Sequence, residues 1–165
     1  LTRIKPMAPD FIYFGGIYPE GALLIRQARS LGLNAPFMGG DGIATPIFIE
    51  LASSAIAEGT YSTMVGGDME KVPAAQNFIS AFRSAYGEPG QWSAYGYDAG
   101  NILIAAIQKA GVSNREAILK AMRAIPSFSG ITGTVTFDAL GDNQNQFIGV
   151  FQVQSGKLVY IGQAE

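Results

Sequence analysis

Apolar and polar positions along the chain fall into two regimes. In the first, short apolar runs alternate with stretches of helical spacing. DFIYFGG (Asp10 to Gly16) is apolar and aromatic, ends on two glycines, and predicts a buried strand. YPEGALLIRQARSLG follows, with Pro19 in the first helical turn, Glu20 near the positive end of the dipole, and Gly32 just past the last turn. Leu24, Ala28 and Leu31 share one face of that helix, with Leu23 and Gln27 near its edge. APFMGG predicts a second strand. Strand, helix and strand within about thirty residues make a βαβ unit, with parallel pairing and a right-handed crossover.

The pattern then repeats. Thr45 is placed to cap a helix from Pro46 to about Ser54, and GTYSTM (Gly59 to Met64) alternates as a third strand. VGGD (Val65 to Asp68) interrupts the order and reads as a hinge or linker. The second regime is helical. Pro73 to Tyr86 predicts one helix stopped by Gly87, and Ser93 to Ala110 another, very apolar in NILIAAI and stopped by Gly111. Ser113 and Glu116 have the spacing of a capping box for a third helix ending near Ile125. The tail returns to alternation: ITGTVTFD (Ile131 to Asp138) as a strand, GDNQNQ as a polar loop, then FIGVFQV and KLVYIG as two strands joined at Ser155-Gly156. The fold class is α/β, parallel in its first half and more antiparallel at its end. In such sheets ligands bind outside the carboxyl ends of the strands, where FGGIYPE and MGGDG both fall.

Composition narrows the chemistry. The chain has 165 residues, 48% hydrophobic and 15% charged, with a net charge of −2. That describes a globular protein and shows none of the basic clustering of a nucleic-acid binder. Cysteine and histidine are both absent, which removes thiolate chemistry, the commonest general base and the commonest metal ligand. No apolar run approaches the ~20 residues of a membrane span, and no stretch reads as a signal peptide. The opening LTRIKPMAPD lacks an initiator Met and reads as a mature form or a fragment. The glycines of GGDG have neither dinucleotide nor P-loop spacing, and no nucleophile elbow or glycosidase-type acid pair stands out. No cofactor and no metal site is implied.

Three candidate sites remain. Asp41, beside Gly40 at a strand end, is either a local turn acceptor or a carboxylate aimed at a ligand ammonium. Ile17 and Tyr18 either pack the helix entry or stand against an apolar ligand group. Trp92 in GEPGQW, the only tryptophan, either packs the start of a helix or lines a cleft.

Several stretches in order resemble one family. PDFIYFGGIYPEGALLIRQARSLGLNAPFMGGDG, AEGTYST, YGYDAGNILIAAIQKAG and FSGITGTVTFDALGD are similar to the periplasmic leucine/isoleucine/valine-binding proteins, solute receptors of amino-acid ABC transporters. The resemblance covers almost the whole chain. It implies a type I periplasmic-binding fold, a mostly parallel three-layer αβα Rossmann-like architecture, in two lobes with ligand in the cleft between them. Residues 1–65 would be a second-lobe segment, 66–147 a first-lobe helical segment, and 148–165 the return to the second lobe, with VGGD and IGVF as crossovers. The family is about twice this long, so the resemblance implies its C-terminal half. Asp41 matches the acid that holds the ligand α-ammonium. Ile17 stands where relatives often carry an aromatic residue, a departure that bears on selectivity and for which Tyr18 would compensate. Trp92 lies near a cleft-lining position.

The function so implied is an extracytoplasmic solute-binding component of an ABC transporter, periplasmic or extracellular, that takes an aliphatic (branched-chain) amino acid or a related small molecule by lobe closure without chemistry and delivers it to a membrane permease. The competing functions are a sensory receptor domain of the same fold and a flavodoxin-like enzyme, the latter disfavoured by the missing His, Cys and phosphate loop. NILIAAI is too apolar to face water. Ile102, Leu103, Ile104 and Ile107 are therefore expected to be covered, with the helices packed on their own sheet or swapped with another copy in a homo-oligomer.

Overall fold

A computed structural model of the chain describes residues 1–164; the final residue of the 148–165 segment lies outside them. The chain divides into two compact units. One comprises Leu1–Gly67 together with the segment from Phe147 onward, and the other Asp68–Gln146.

The first unit is built on a five-stranded sheet in the order β1-β2-β3-β6-β7. Strand β1 is Ile12–Phe14, β2 is Phe37–Gly39, β3 is Tyr61–Val65, β6 is Ile148–Gln154 and β7 is Lys157–Gln163. The first three are parallel, in the register Ile12↔Phe37 and Phe14↔Gly39, then Gly39↔Ser62. Strand β6 pairs antiparallel with β3, and β7 returns as a hairpin through Ser155 and Gly156. Both turn residues have positive φ, as a two-residue hairpin of this twist requires. Glu58 clamps that turn by accepting from the Ser155 and Gly156 amides at 3.0 and 3.3 Å.

Helix α1 (Tyr18–Ser30) connects β1 to β2, and α2 (Pro46–Ala52) with the short α3 (Ser54–Ala57) connects β2 to β3. Ala22 and Ile25 of α1, Phe48, Ile49 and Ala52 of α2, and Ala57 of α3 join Phe37, Ile43 and Val153 in one core. The helices therefore cover one face of the sheet. Alternation within β1 puts Ile12 and Phe14 toward that core and leaves Tyr13 exposed, so this strand is buried on one side only.

Helix α1 buries Ala22, Ile25 and Ala28, whereas Leu23 is exposed and Leu24 and Leu31 are half-buried. The stripe is rotated from the one the leucines suggest, because small residues let the helix lie close to the sheet. Thr45 occupies the residue before α2 in an extended conformation, but its side chain makes no capping bond.

The second unit is helical. Its long elements are α4 (Gln76–Tyr86), α5 (Ser93–Ala110) and α6 (Arg115–Arg123). A separate 3₁₀ turn, Pro73–Ala75, replaces the start of the single helix expected from Pro73. Gly87 and Gly111 terminate α4 and α5 at positive φ, where a glycine carries no steric penalty. The cap of α6 is Asn114, whose Oδ1 accepts from Ala117 N at 3.0 Å, so the start signal lies one residue beyond Ser113. Phe78, Phe82 and Tyr86 form an aromatic row along α4, and Phe78 packs on Tyr97 of α5 at 4.9 Å between ring centres.

Beyond the start of α4 and the cap of α6, two more expectations are not met within this chain. The stretch ITGTVTFD is not one strand. It contributes β5 (Gly133–Val135), which pairs antiparallel with β4 (Phe128–Gly130) across a turn at Ile131-Thr132. The apolar run on α5 is also mostly uncovered: Ile102 is 5% exposed, but Leu103, Ile104 and Ile107 are 45%, 54% and 43% exposed. Helix α5 buries Ala94, Asp98, Ile102 and Ala106, a stripe repeating every four residues. A helix with apolar residues on several sides buries only the side that has a neighbour, and here α5 packs chiefly on α6.

Candidate functional site

The carboxyl edge of the parallel strands is built from two loops that abut. The first runs from Phe14 through Gly15, Gly16 and Ile17 into α1; the second runs from Gly39 through Gly40 into a 3₁₀ turn, Asp41–Ile43. The parallel register brings the two strand ends level, since Phe14 pairs with Gly39. A side chain at Gly42 would strike the Gly16 carbonyl and come within 3.2 Å of the Ile17 Cα. One at Gly39 would lie 2.7 Å from Ile43 Cδ1 and 3.0 Å from the Phe14 carbonyl oxygen, where the first loop begins. Glycine at these two positions is what lets the second loop lie against the first. The 3₁₀ turn is closed by Ala44 N donating to Asp41 O at 3.0 Å, and its Ile43 side chain enters the core.

This geometry presents Asp41 and Ile17, both exposed, on neighbouring loops. Gly40 is the residue before Asp41, in extended conformation. Tyr18 is different: it is half-buried and packs against the core, as a helix-entry residue does. Trp92 belongs to the second unit, where it precedes α5, is exposed, and packs on Tyr95 at 5.8 Å between ring centres. Ile17, Tyr18, Gly40 and Asp41 are thus gathered within the first unit. Among the described residues, no group of three His, Cys, Asp or Glu is placed to hold a metal ion.

Two residues escape a reading of the sequence alone. Tyr13 is exposed, and its hydroxyl lies 3.7 Å from where a Cβ on Gly40 would be, beside the acid. The order Ile-Tyr-Phe in a strand was the available signal, because Tyr13 must point opposite to its neighbours. Asp98 is an acid buried inside α5. Its signal was a charge within an otherwise apolar helix.

The chain as a whole is similar to known proteins. Residues 1–157 match the family described as Periplasmic binding protein. A leucine-, isoleucine-, valine-, threonine- and alanine-binding protein of Pseudomonas aeruginosa is 34% identical over 146 residues, 88% of this chain and 38% of that protein. A leucine-binding protein of Thermotoga maritima superposes with a TM-score of 0.88 at 33% identity, over 99% of this chain and 47% of that one. A branched-chain amino acid transporter substrate-binding protein of Streptococcus pneumoniae, solved with isoleucine, gives a TM-score of 0.80 at 26% identity, covering 93% of this chain and 44% of that one. The chain spans less than half the length of each of these relatives.

Proposed function

The chain belongs to the periplasmic binding protein family, and from that premise we propose that it forms part of the extracytoplasmic solute-binding component of an ABC transporter. Its ligand is an aliphatic, branched-chain amino acid, and its partner is a membrane permease. The observation that carries this reading is the pair Asp41 and Ile17, a carboxylate and an exposed aliphatic side chain on two loops packed through glycine. An amino acid with an apolar side chain offers the complement: an ammonium for the one and a hydrocarbon for the other. The names of the relatives from Pseudomonas aeruginosa and Streptococcus pneumoniae support that ligand class.

In this reading residues 1–65 and 148–165 are second-lobe segments, and residues 66–147 belong to the first lobe. Asp41 holds the ligand ammonium, Ile17 borders its side chain, Gly40 and Tyr18 shape the floor, and Trp92 is the ligand-lining residue assigned to the first-lobe segment. Closure about a hinge excludes water, and the ammonium–carboxylate bond strengthens as the local dielectric falls. Binding is the whole of the function, and no bond is made or broken.

Calorimetric titration of the full-length protein with leucine, isoleucine and valine tests this. Asp41→Ala is expected to cost about 2–5 kcal/mol of affinity, because a desolvated ligand charge loses its partner. Unchanged binding by the variant overturns the role of Asp41, and a wild-type protein indifferent to all three overturns the ligand class.

A further inference from the structure

The buried stripe of α5 contains one charged residue, Asp98, which is 3% exposed between Ala94 and Ile102. A carboxylate in that position is costly unless its oxygens are satisfied. Three neutral donors satisfy it, and each comes from the same turn. Ile131 N donates to Oδ1 at 3.0 Å, while Thr132 N and Thr132 Oγ1 donate to Oδ2 at 2.8 and 2.6 Å. A Cβ at Gly130 would run into the carboxylate, so the chain crosses directly over it. Burial, and then the nearby Asp98 charge, push the Tyr95 phenol above its ordinary value.

The turn belongs to the β4–β5 hairpin, two strands of three residues each, too short to be stable alone. Its pairs are Phe128↔Val135, Ser129↔Thr134 and Gly130↔Gly133. We propose that this hairpin is a detachable strap on the second unit and that Asp98 is its latch. Docked, the strap supplies every donor named above; raised part-way, too little to admit water, it leaves the carboxylate without them, so intermediate positions are disfavoured. The strap opens as one piece and before the helices it lies on.

Amide hydrogen exchange on the full-length protein tests this. Asp98→Asn keeps the shape but replaces an accepting oxygen with a donating NH2. We expect Ile131, Thr132, Thr134 and Val135 to exchange at least ~10-fold faster, with amides from Ile102 to Ala110 and in α4 changed less than ~2-fold. Gly130→Ala lifts the turn while leaving the carboxylate intact and is expected to give the same local pattern. If Asp98→Asn does not fold, Thr132→Val, which removes only the hydroxyl, is read in the same way. Equal acceleration throughout α4, α5, α6 and the hairpin overturns the proposal, as does an unchanged hairpin.

Discussion

The two units use similar material to different ends. In the first, Ile25, Phe37, Ile43, Phe48 and Val153 are almost wholly removed from solvent, drawn from both the sheet and the helices. In the second, the buried apolar residues are Ala75, Ile79, Ala94, Ile102, Ala106, Ala121 and Val135, more than half of them alanines. Helix α5 carries the most apolar run in the chain, yet it exposes Leu103, Ile104 and Ile107. Burial is therefore decided by whether a complementary surface faces an element. The first unit has its own sheet to pack on, and the helices of the second have chiefly one another.

The contrast breaks most readily at Phe37. Truncation to alanine removes the centre of the first core and is expected to destabilise that unit by about 3–5 kcal/mol, read by denaturant unfolding. A cost below about 1 kcal/mol would mean that the core is not the source of its stability. Helix caps sharpen the comparison at a smaller scale. Asn114→Ala is expected to cost about 1 kcal/mol, because the Ala117 amide loses its acceptor. Thr45→Ala, at a position without a capping bond, is expected to change stability by less than about 0.5 kcal/mol. Equal losses from the two would erase that distinction. The smallest effect is expected at Leu103: in this chain, Leu103→Ala stays within about 0.5 kcal/mol of wild type by thermal unfolding, as an exposed side chain should. A loss approaching that of Phe37→Ala would show that the α5 face is covered in solution.

Much of the fold was legible where local signals and tertiary needs agree. Glycine-ended apolar runs marked β1 and β2, Pro19 and Gly32 bracketed α1, and Ser155-Gly156 marked the last hairpin. The readings that failed share a cause. A Ser-x-x-Glu spacing pointed to Ser113, but Asn114 one residue on offers an equally good acceptor, and only backbone geometry chooses between them. ITGTVTFD alternates like one strand, yet Ile131 and Thr132 donate to Asp98, 33 and 34 residues away in sequence, which turns the chain there. The carboxyl edge was legible from glycine placement, and Asp41 and Ile17 with it. Tyr13 was not, because its place beside Gly40 depends on the direction of a strand face.

By itself the sequence determined the order of elements, the parallel βαβ start, and an acid held among glycines at a strand end. These follow from local backbone preference and hydrophobic period, which act over a few residues. Tertiary structure alone decided which residues of α1 face the sheet, that the Gly16 and Gly42 loops touch, that three apolar residues of α5 remain exposed, and that a buried Asp98 is paid in hydrogen bonds by a distant turn. Each of these depends on which surface meets which, and contacts between residues far apart in sequence carry no periodic signature along the chain.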